Sequence, residues 1–407
     1  MQLFAPVAEK GHAADPRQHK PQKHQLHHAK RRRPKAVPQG DPGLRRQAAG
    51  EKHRQRQDHA EGGIDPEKQQ HKRHIDQIQP PGQHHGKHAE DLDQRRKQLI
   101  DQEIQIGNKV ISNSSHTYIV AEMSGNHNMD FDRAKEIIYR AHKAGADAVK
   151  IQTYTADTIT LDCNNEYFQI KHGTLWDGDT LYSLYQKAYT PWEWQKELFE
   201  YAHEIGIELF SSPFDLSAVD FLENIGMPAY KVASFEINDI QLLRKIAKTG
   251  KPIIMATGIA ELADIEQALK TCIEAGNDQV ILLKCTSAYP TPYDEVNINM
   301  LKTLRETFGC LVGISDHTFG ATVPILSVAM GGKMIEKHVT LKRSDGGTDS
   351  EFSMEMEEFE EMCKQVRMAE QAMGTSRYYL TDSQKMERHF SRSLFIAEDM
   401  EAGEIIT

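Results

Sequence analysis

The sequence predicts a (β/α)₈ barrel, an α/β fold in which each of eight parallel strands leads into a helix. Three observations support this. From Tyr118 onward a short β-branched run, a loop and an amphipathic stretch recur eight times, within the ~250 residues typical of such a barrel. The runs are nearly continuous in apolar residues rather than alternating, as parallel strands covered on both faces require. No glycine-rich dinucleotide fingerprint follows the first strand, which counts against an open doubly wound sheet.

The expected strands are 118–124, 147–154, 207–214, 229–236, 252–259, 279–286, 310–317 and 334–341. Between them, 131–144, 192–205, 240–248 and 262–275 carry helical periodicity. Gly145, Gly206, Gly226, Gly250, Gly276 and Gly309 stand where a helix C-terminus favours a left-handed residue. The second unit is interrupted by a long loop, 155–190, containing Gly-Thr-Leu-Trp-Asp at 173–177. Loops of this length are usually functional or disordered, and the aromatic content favours order. The barrel is expected over 104–374, followed by a linker at 375–390. Residues 391–407 read as a strand and turn opening a second domain.

Residues 1–103 differ from the rest. They hold 21 Lys and Arg against 14 Asp and Glu, a balance of +7, and 12 of the 20 histidines. The remainder holds 28 against 45, a balance of −17. This basic, Gln- and His-rich tail cannot bury enough apolar surface to offset its ordering entropy, so it reads as disordered. It also fits a reading frame extended upstream of a natural start near Ile104. It lacks the interleaved aromatics of a nucleic-acid arm and the ligand spacing of a metal site. The acidic remainder would repel a phosphate backbone, so no nucleic-acid partner is expected. No apolar run approaches the ~20 residues of a membrane span, and no secretory h-region opens the chain. Cys163, Cys272, Cys285, Cys310 and Cys363 are scattered without a CxxC pair, consistent with reduced thiols in a cytoplasm.

Barrel enzymes work at the C-terminal ends of their strands, and polar residues gather at almost every one. The first ends at Glu122, followed by Asn126, His127 and Asn128; the second carries Lys150 and Gln152 on one side. Ser212 ends the third, Lys231, Ser234 and Glu236 the fourth, and Lys284, Ser287 and Tyr289 follow the sixth. Ser315 and His317 close the seventh strand, Glu336 and His338 the eighth. Burying so many ionisable groups unpaired would be costly, so they imply a polar ligand. Lys150 and Lys231, with Ser212, Ser234 and Ser315, suit a phosphate or carboxylate. Taken singly, each lysine fits equally well as a stem packed on the rim with its ammonium in water. His317 and His338 end neighbouring strands, where two imidazoles could share one divalent metal and leave its shell open. A lone strand-end histidine is ordinarily structural. Glu122 and Glu236 read equally as acid–base or hydroxyl-binding groups and as solvated rim carboxylates. Lys337 has the opposite parity and faces the helices. Cys285 has no evident base partner and reads as a buried, inert thiol.

Seven segments are familiar as a set: Ala-Glu-Met-Ser-Gly-Asn-His-Asn at 121–128, Lys-Ile-Gln-Thr-Tyr at 150–154, Ser-Ser-Pro-Phe-Asp at 211–215, Lys-Val-Ala-Ser-Phe-Glu at 231–236, Cys-Thr-Ser-Ala-Tyr-Pro-Thr-Pro-Tyr at 285–293, Gly-Ile-Ser-Asp-His at 313–317 and Glu-Lys-His at 336–338. In order and spacing they resemble the sialic acid (nonulosonic acid) synthase family, from about Ile106 to the end. The resemblance implies a TIM barrel joined to a small C-terminal antifreeze-like (SAF) domain, in a domain-swapped homodimer. In that family the C-terminal domain sends an arginine into the partner's barrel, from a segment that would lie beyond Thr407. The segments 171–178, 180–182 and 189–194 are most similar to the pseudaminic acid branch of the family. That branch condenses phosphoenolpyruvate with an amino-sugar aldehyde, a 2,4-diacetamido-2,4,6-trideoxy-altrose. The N-acetylneuraminate and legionaminate branches are the alternative, and a Schiff-base aldolase acting through Lys150 or Lys231 is a mechanistic rival. A non-catalytic sugar-binding barrel is a further rival. By motif, Lys150, Ser212, Lys231, Ser234, Ser287 and Ser315 would contact phosphoenolpyruvate. His317 and His338 would bind Mn²⁺ or a similar ion such as Mg²⁺ or Co²⁺. Glu236, Tyr289 and Asp349 would hold the sugar, with Glu122 beside the reacting centre.

Overall fold

A computed structural model describes residues 102–171 and 176–405. The expected disorder of the tail up to residue 101, and positions 173–175 of the long-loop motif, fall outside these residues. A hairpin comes first: β1 (Ile104–Ile106) runs antiparallel to β2 (Lys109–Ile111), with Ile104 opposite Ile111. Eight parallel strands follow: β3 (Tyr118–Glu122), β4 (Ala148–Thr153), β5 (Glu208–Pro213), β6 (Tyr230–Val232), β7 (Ile253–Ala256), β8 (Val280–Cys285), β9 (Leu311–Asp316) and β10 (Met334–Thr340). Each pairs with its successor, and β10 returns to β3 with Met334 opposite Tyr118 and His338 opposite Glu122, closing the barrel. A two-residue strand, β11 (Met354–Glu355), extends β10 outside the ring.

Helices Phe131–Ala144, Trp192–Ile205 and Ile240–Lys248 form where the periodicity places them. The first shows why: Asp130 accepts a hydrogen bond from the Arg133 amide at its start, and Gly145 takes the left-handed C-cap at its end. Three expectations need correction. The fourth strand stops at Val232 and not at 236, because the chain turns into a 3₁₀ helix, Ser234–Asn238. The segment 155–190 is not one loop. It contains helices Ala156–Ile159 and Leu181–Ala188, the second capped reciprocally by Thr180 and Ser183. The strand expected after Arg392 does not form among the described residues 391–405, which are exposed and lack a partner strand to satisfy a ladder.

Alternation along the strands builds two cores. Outward residues such as Ile119, Val149, Leu209 and Ile335 pack under the helices. Inward residues Val120, Ala148, Phe210, Ile254, Ile281, Leu311 and Met334 fill the N-terminal half of the barrel. There they meet Ile104, Ile106 and Ile111 of the hairpin, all at most 1% exposed, so the hairpin plugs that end. Two residues further along the same inward faces, Val120 gives way to Glu122, Ala148 to Lys150 and Met334 to Glu336. The apolar layer supports a polar one.

Candidate active site

The polar layer faces a cleft at the C-terminal mouth, lined among others by Glu122, Lys150, Gln152, Lys231, Glu336 and Asp349. Its centre is a chain of charges. Lys150 Nζ lies 3.1 Å from Glu122 Oε2 and 3.4 Å from Glu336 Oε1, and 3.4 Å from Ser212 Oγ. Gln152 Nε2 donates to Glu122 Oε1 at 2.7 Å, and Ser315 Oγ donates to Glu336 Oε1 at 2.9 Å. Lys231 Nζ stands 3.9 Å from Glu336 Oε1 and donates to its neighbour's carbonyl, Val232 O, at 3.2 Å.

The two glutamates differ. Burial pushes Glu122 up, against the pull of Lys150. Burial also acts on Glu336, but Lys150, Lys231 and the Ser315 hydroxyl outweigh it and hold the carboxyl below its usual range. Burial pushes the Asp349 carboxyl up as well. Two buried lysines are thus matched by one firmly ionised carboxylate. Burial would lower Lys150, yet Glu122 and Glu336 raise it, whereas burial prevails at Lys231 and lowers it. Lys231 is the cation with least compensation, and an incoming anion would supply it.

The other side of the cleft is aromatic and imidazole-rich. Tyr289 stacks at 4.2 Å between ring centroids on His317, which lies 5.3 Å from His338. Phe352 stands 5.1 Å from Tyr289 and 5.0 Å from His338, and Trp176 packs behind Tyr289 at 6.4 Å. His317 Nδ1 is engaged with Thr286 O at 2.9 Å, while the buried Nδ1 of His338 has no hydrogen-bond partner.

Residues 137–378 match the NeuB family. The chain belongs to that family. A pseudaminic acid synthase of Campylobacter jejuni is 44% identical over 304 residues, which are 75% of this chain and 88% of that protein. One of Helicobacter pylori is 43% identical over 290 residues, 71% and 85% respectively. The crystal structure of an N-acetylneuraminic acid (sialic acid) synthetase from Leptospira borgpetersenii superposes with a TM-score of 0.63 at 29% identity, covering 71% of this chain and 96% of that one.

Of the site residues expected from sequence, Glu122, Lys150, Lys231, Ser234, Tyr289, Ser315, His317, His338 and Asp349 all line this NeuB-family cleft. Ser212 joins through Lys150. Ser287 lies beneath, its buried hydroxyl without a hydrogen-bond partner. A Cβ on Gly258 would collide with Ser287 Oγ and come within 2.7 Å of Ser234 Oγ, so only glycine lets that loop close on the two hydroxyls. Glu236 is not brought to the cleft lining: it sits one turn beyond β6, half-buried on the 3₁₀ helix. Lys284 turns away, donating to Cys285 O and Thr286 Oγ1, each at 2.7 Å. Cys285 is a correction. It lines the cleft with Sγ 3.9 Å from His317 Nδ1. Burial would raise its thiol, but His317 and Lys231 bring it down to about 7, so it is not inert. Sequence reasoning gives Glu336 and Gln152 no role, although their shared inward parity with His338 and Lys150 is a usable signal. Phe352 and Ser124 carry none.

Proposed function

We propose that this NeuB-family chain is a pseudaminic acid synthase. It condenses phosphoenolpyruvate with 2,4-diacetamido-2,4,6-trideoxy-altrose and water, giving pseudaminic acid and phosphate. The observation carrying this reading is the buried pair Lys150 and Lys231 at the mouth of an otherwise acidic barrel, sharing one ionised carboxylate. Relatives at 43–44% identity support the sugar.

Lys150 and Lys231, with Ser212, Ser234, Ser287 and Ser315, hold the carboxylate and phosphate of the enol phosphate. C3 of that substrate attacks the aldehyde carbon, forming the C–C bond; water then takes C2, and phosphate leaves with its bridging oxygen through C–O cleavage. Fixed ammonium groups steady the anionic charge as it shifts, without reorganisation. Glu122, pushed toward its protonated form beside Lys150, can hold or pass a proton at the reacting centre. Tyr289 and Asp349 contact the sugar, and Glu236 approaches from its turn.

His317 and His338 would hold a divalent ion such as Mn²⁺, Mg²⁺ or Co²⁺. The orphaned His338 nitrogen and the adjacent ring of His317 fit that use. Among the described residues no third His, Cys, Asp or Glu completes a cage, which suits a site finished by water and substrate oxygens. When bound, such an ion supplies Lewis-acid polarisation of the aldehyde oxygen. A homodimeric assembly belongs to the same reading and rests on the family resemblance.

A mass-resolved assay tests the proposal. The protein is given phosphoenolpyruvate, Mn²⁺ and, separately, the altrose derivative, its legionaminate counterpart or N-acetylmannosamine. A nonulosonic acid from the altrose compound alone, abolished by EDTA, is expected. Product only from another sugar would reassign the branch, and a borohydride-trapped lysine adduct with metal-independent turnover would replace the mechanism.

A further inference from the structure

Ser124 is buried, 1% exposed, with φ at +46°. Glycine adopts that backbone freely and a residue with a Cβ does not, so a side chain retained there needs a compensating contact. The contact is specific. Ser124 Oγ donates to Asp349 Oδ2 and accepts from Gln152 Nε2 at 3.1 Å; the same Gln152 amide donates to Glu122 Oε1 at 2.7 Å. The loops that carry the two residues are closely apposed, since a Cβ on the adjacent Gly125 would collide with Thr348 Oγ1. Asp349 itself is fully buried and faces the cleft, and its Oδ1 has no hydrogen-bond partner.

One carboxylate oxygen is therefore held by the protein, and the other is left to the ligand. We propose that Ser124 is a positioning residue for sugar recognition, fixing Asp349 so that Oδ1 accepts a hydrogen bond from an N–H or O–H of the aldehyde substrate. This rests on the synthase reading for the identity of the substrate, but not for the contact itself. The serine hydroxyl sets the rotation of the carboxyl, and through Gln152 it ties the sugar side of the cleft to Glu122 and Lys150.

Ser124→Gly removes the hydroxyl and relieves the backbone, so the variant folds, whereas Ser124→Ala removes the hydroxyl and keeps the strain. Both should raise KM for the sugar about 10-fold, the effect of a lost hydrogen bond to a charged group, with KM for phosphoenolpyruvate unchanged. In an Asp349→Asn background, Ser124→Gly should add no further change. A Ser124→Gly enzyme with wild-type sugar KM, or additive effects in the double variant, would overturn the proposal. Should the wild type turn over none of the sugars, the synthase reading fails instead. The same double-variant cycle in urea denaturation then decides: non-additive midpoints support the contact and additive ones overturn it.

Discussion

Two buried lysine–carboxylate groups stand one residue apart on the same pair of strands, and they do different things. In the β9–β10 register Glu336 faces Ser315 and Lys337 faces Asp316. Glu336 and Ser315 point into the barrel, where the carboxylate is shared by Lys150 and Lys231 and its Oε2 lacks a hydrogen-bond partner. Lys337 and Asp316 point outward, beneath the helices. There Lys337 Nζ meets Asp316 Oδ2 at 2.6 Å and also donates to Thr318 O, while Thr318 N and Oγ1 each donate to Asp316 at 3.1 Å. The outer pair is closed and the inner set is open. Residue type and burial are alike, so satisfaction is what separates a structural ion pair from a binding site.

The largest expected effect is on the closed side. Lys337→Met should destabilise the fold by about 3–5 kcal/mol in urea denaturation, because Asp316 would keep its charge without a cation. Adding Asp316→Leu should recover much of that loss, since a buried pair replaced by apolar groups is often neutral. The catalytic constants of the folded fraction should not move. On the open side, Lys231→Met should lower kcat/KM about 10²- to 10³-fold, the usual cost of removing one fixed charge from a developing anion. Its unfolding midpoint should hold or rise, because only a 3.9 Å contact is lost and Glu336 keeps Lys150 and Ser315. Activity lost in Lys337→Met without any loss of stability would break the comparison.

This division is largely legible in the sequence, for reasons the parity makes plain. Lys150 with Gln152, and Glu336 with His338, are two apart on strands, and such spacing alone fixes a shared face. The same rule places Lys337 outward. What stays hidden depends on contacts between segments distant in sequence. Cys285 reads as inert because its partner, His317, lies 32 positions away on the next strand. Ser124 meets Asp349 across 225 positions, and its positive φ has no signature in a serine. Glu236 is misplaced for a local reason: alternation is carried past Val232, where the strand has already ended. The plugging hairpin escapes notice because two three-residue strands are too short for periodicity to register.

Imidazoles extend the comparison and give the smallest effect. His127 follows the first strand as His338 lies on the last, and both are buried, but His127 is enclosed. Its Nδ1 accepts from Met129 N at 3.1 Å, and its ring meets Trp194 edge-on at 5.7 Å. Burial, then the nearby Arg133, lowers it to about 4. As pH falls, the unfolded chain protonates this histidine first, near 6.5, while the folded protein resists until about 4. The stability it contributes is therefore complete above pH ~6.5 and lost progressively as pH falls toward 4, about 3 kcal/mol in all. His127→Gln should flatten that part of the profile: the stability gap to wild type, measured in urea between pH 7.5 and 4.5, should shrink as pH falls. A gap independent of pH would mean that His127 is not held neutral, and enclosure would no longer distinguish it from the open imidazoles of the cleft.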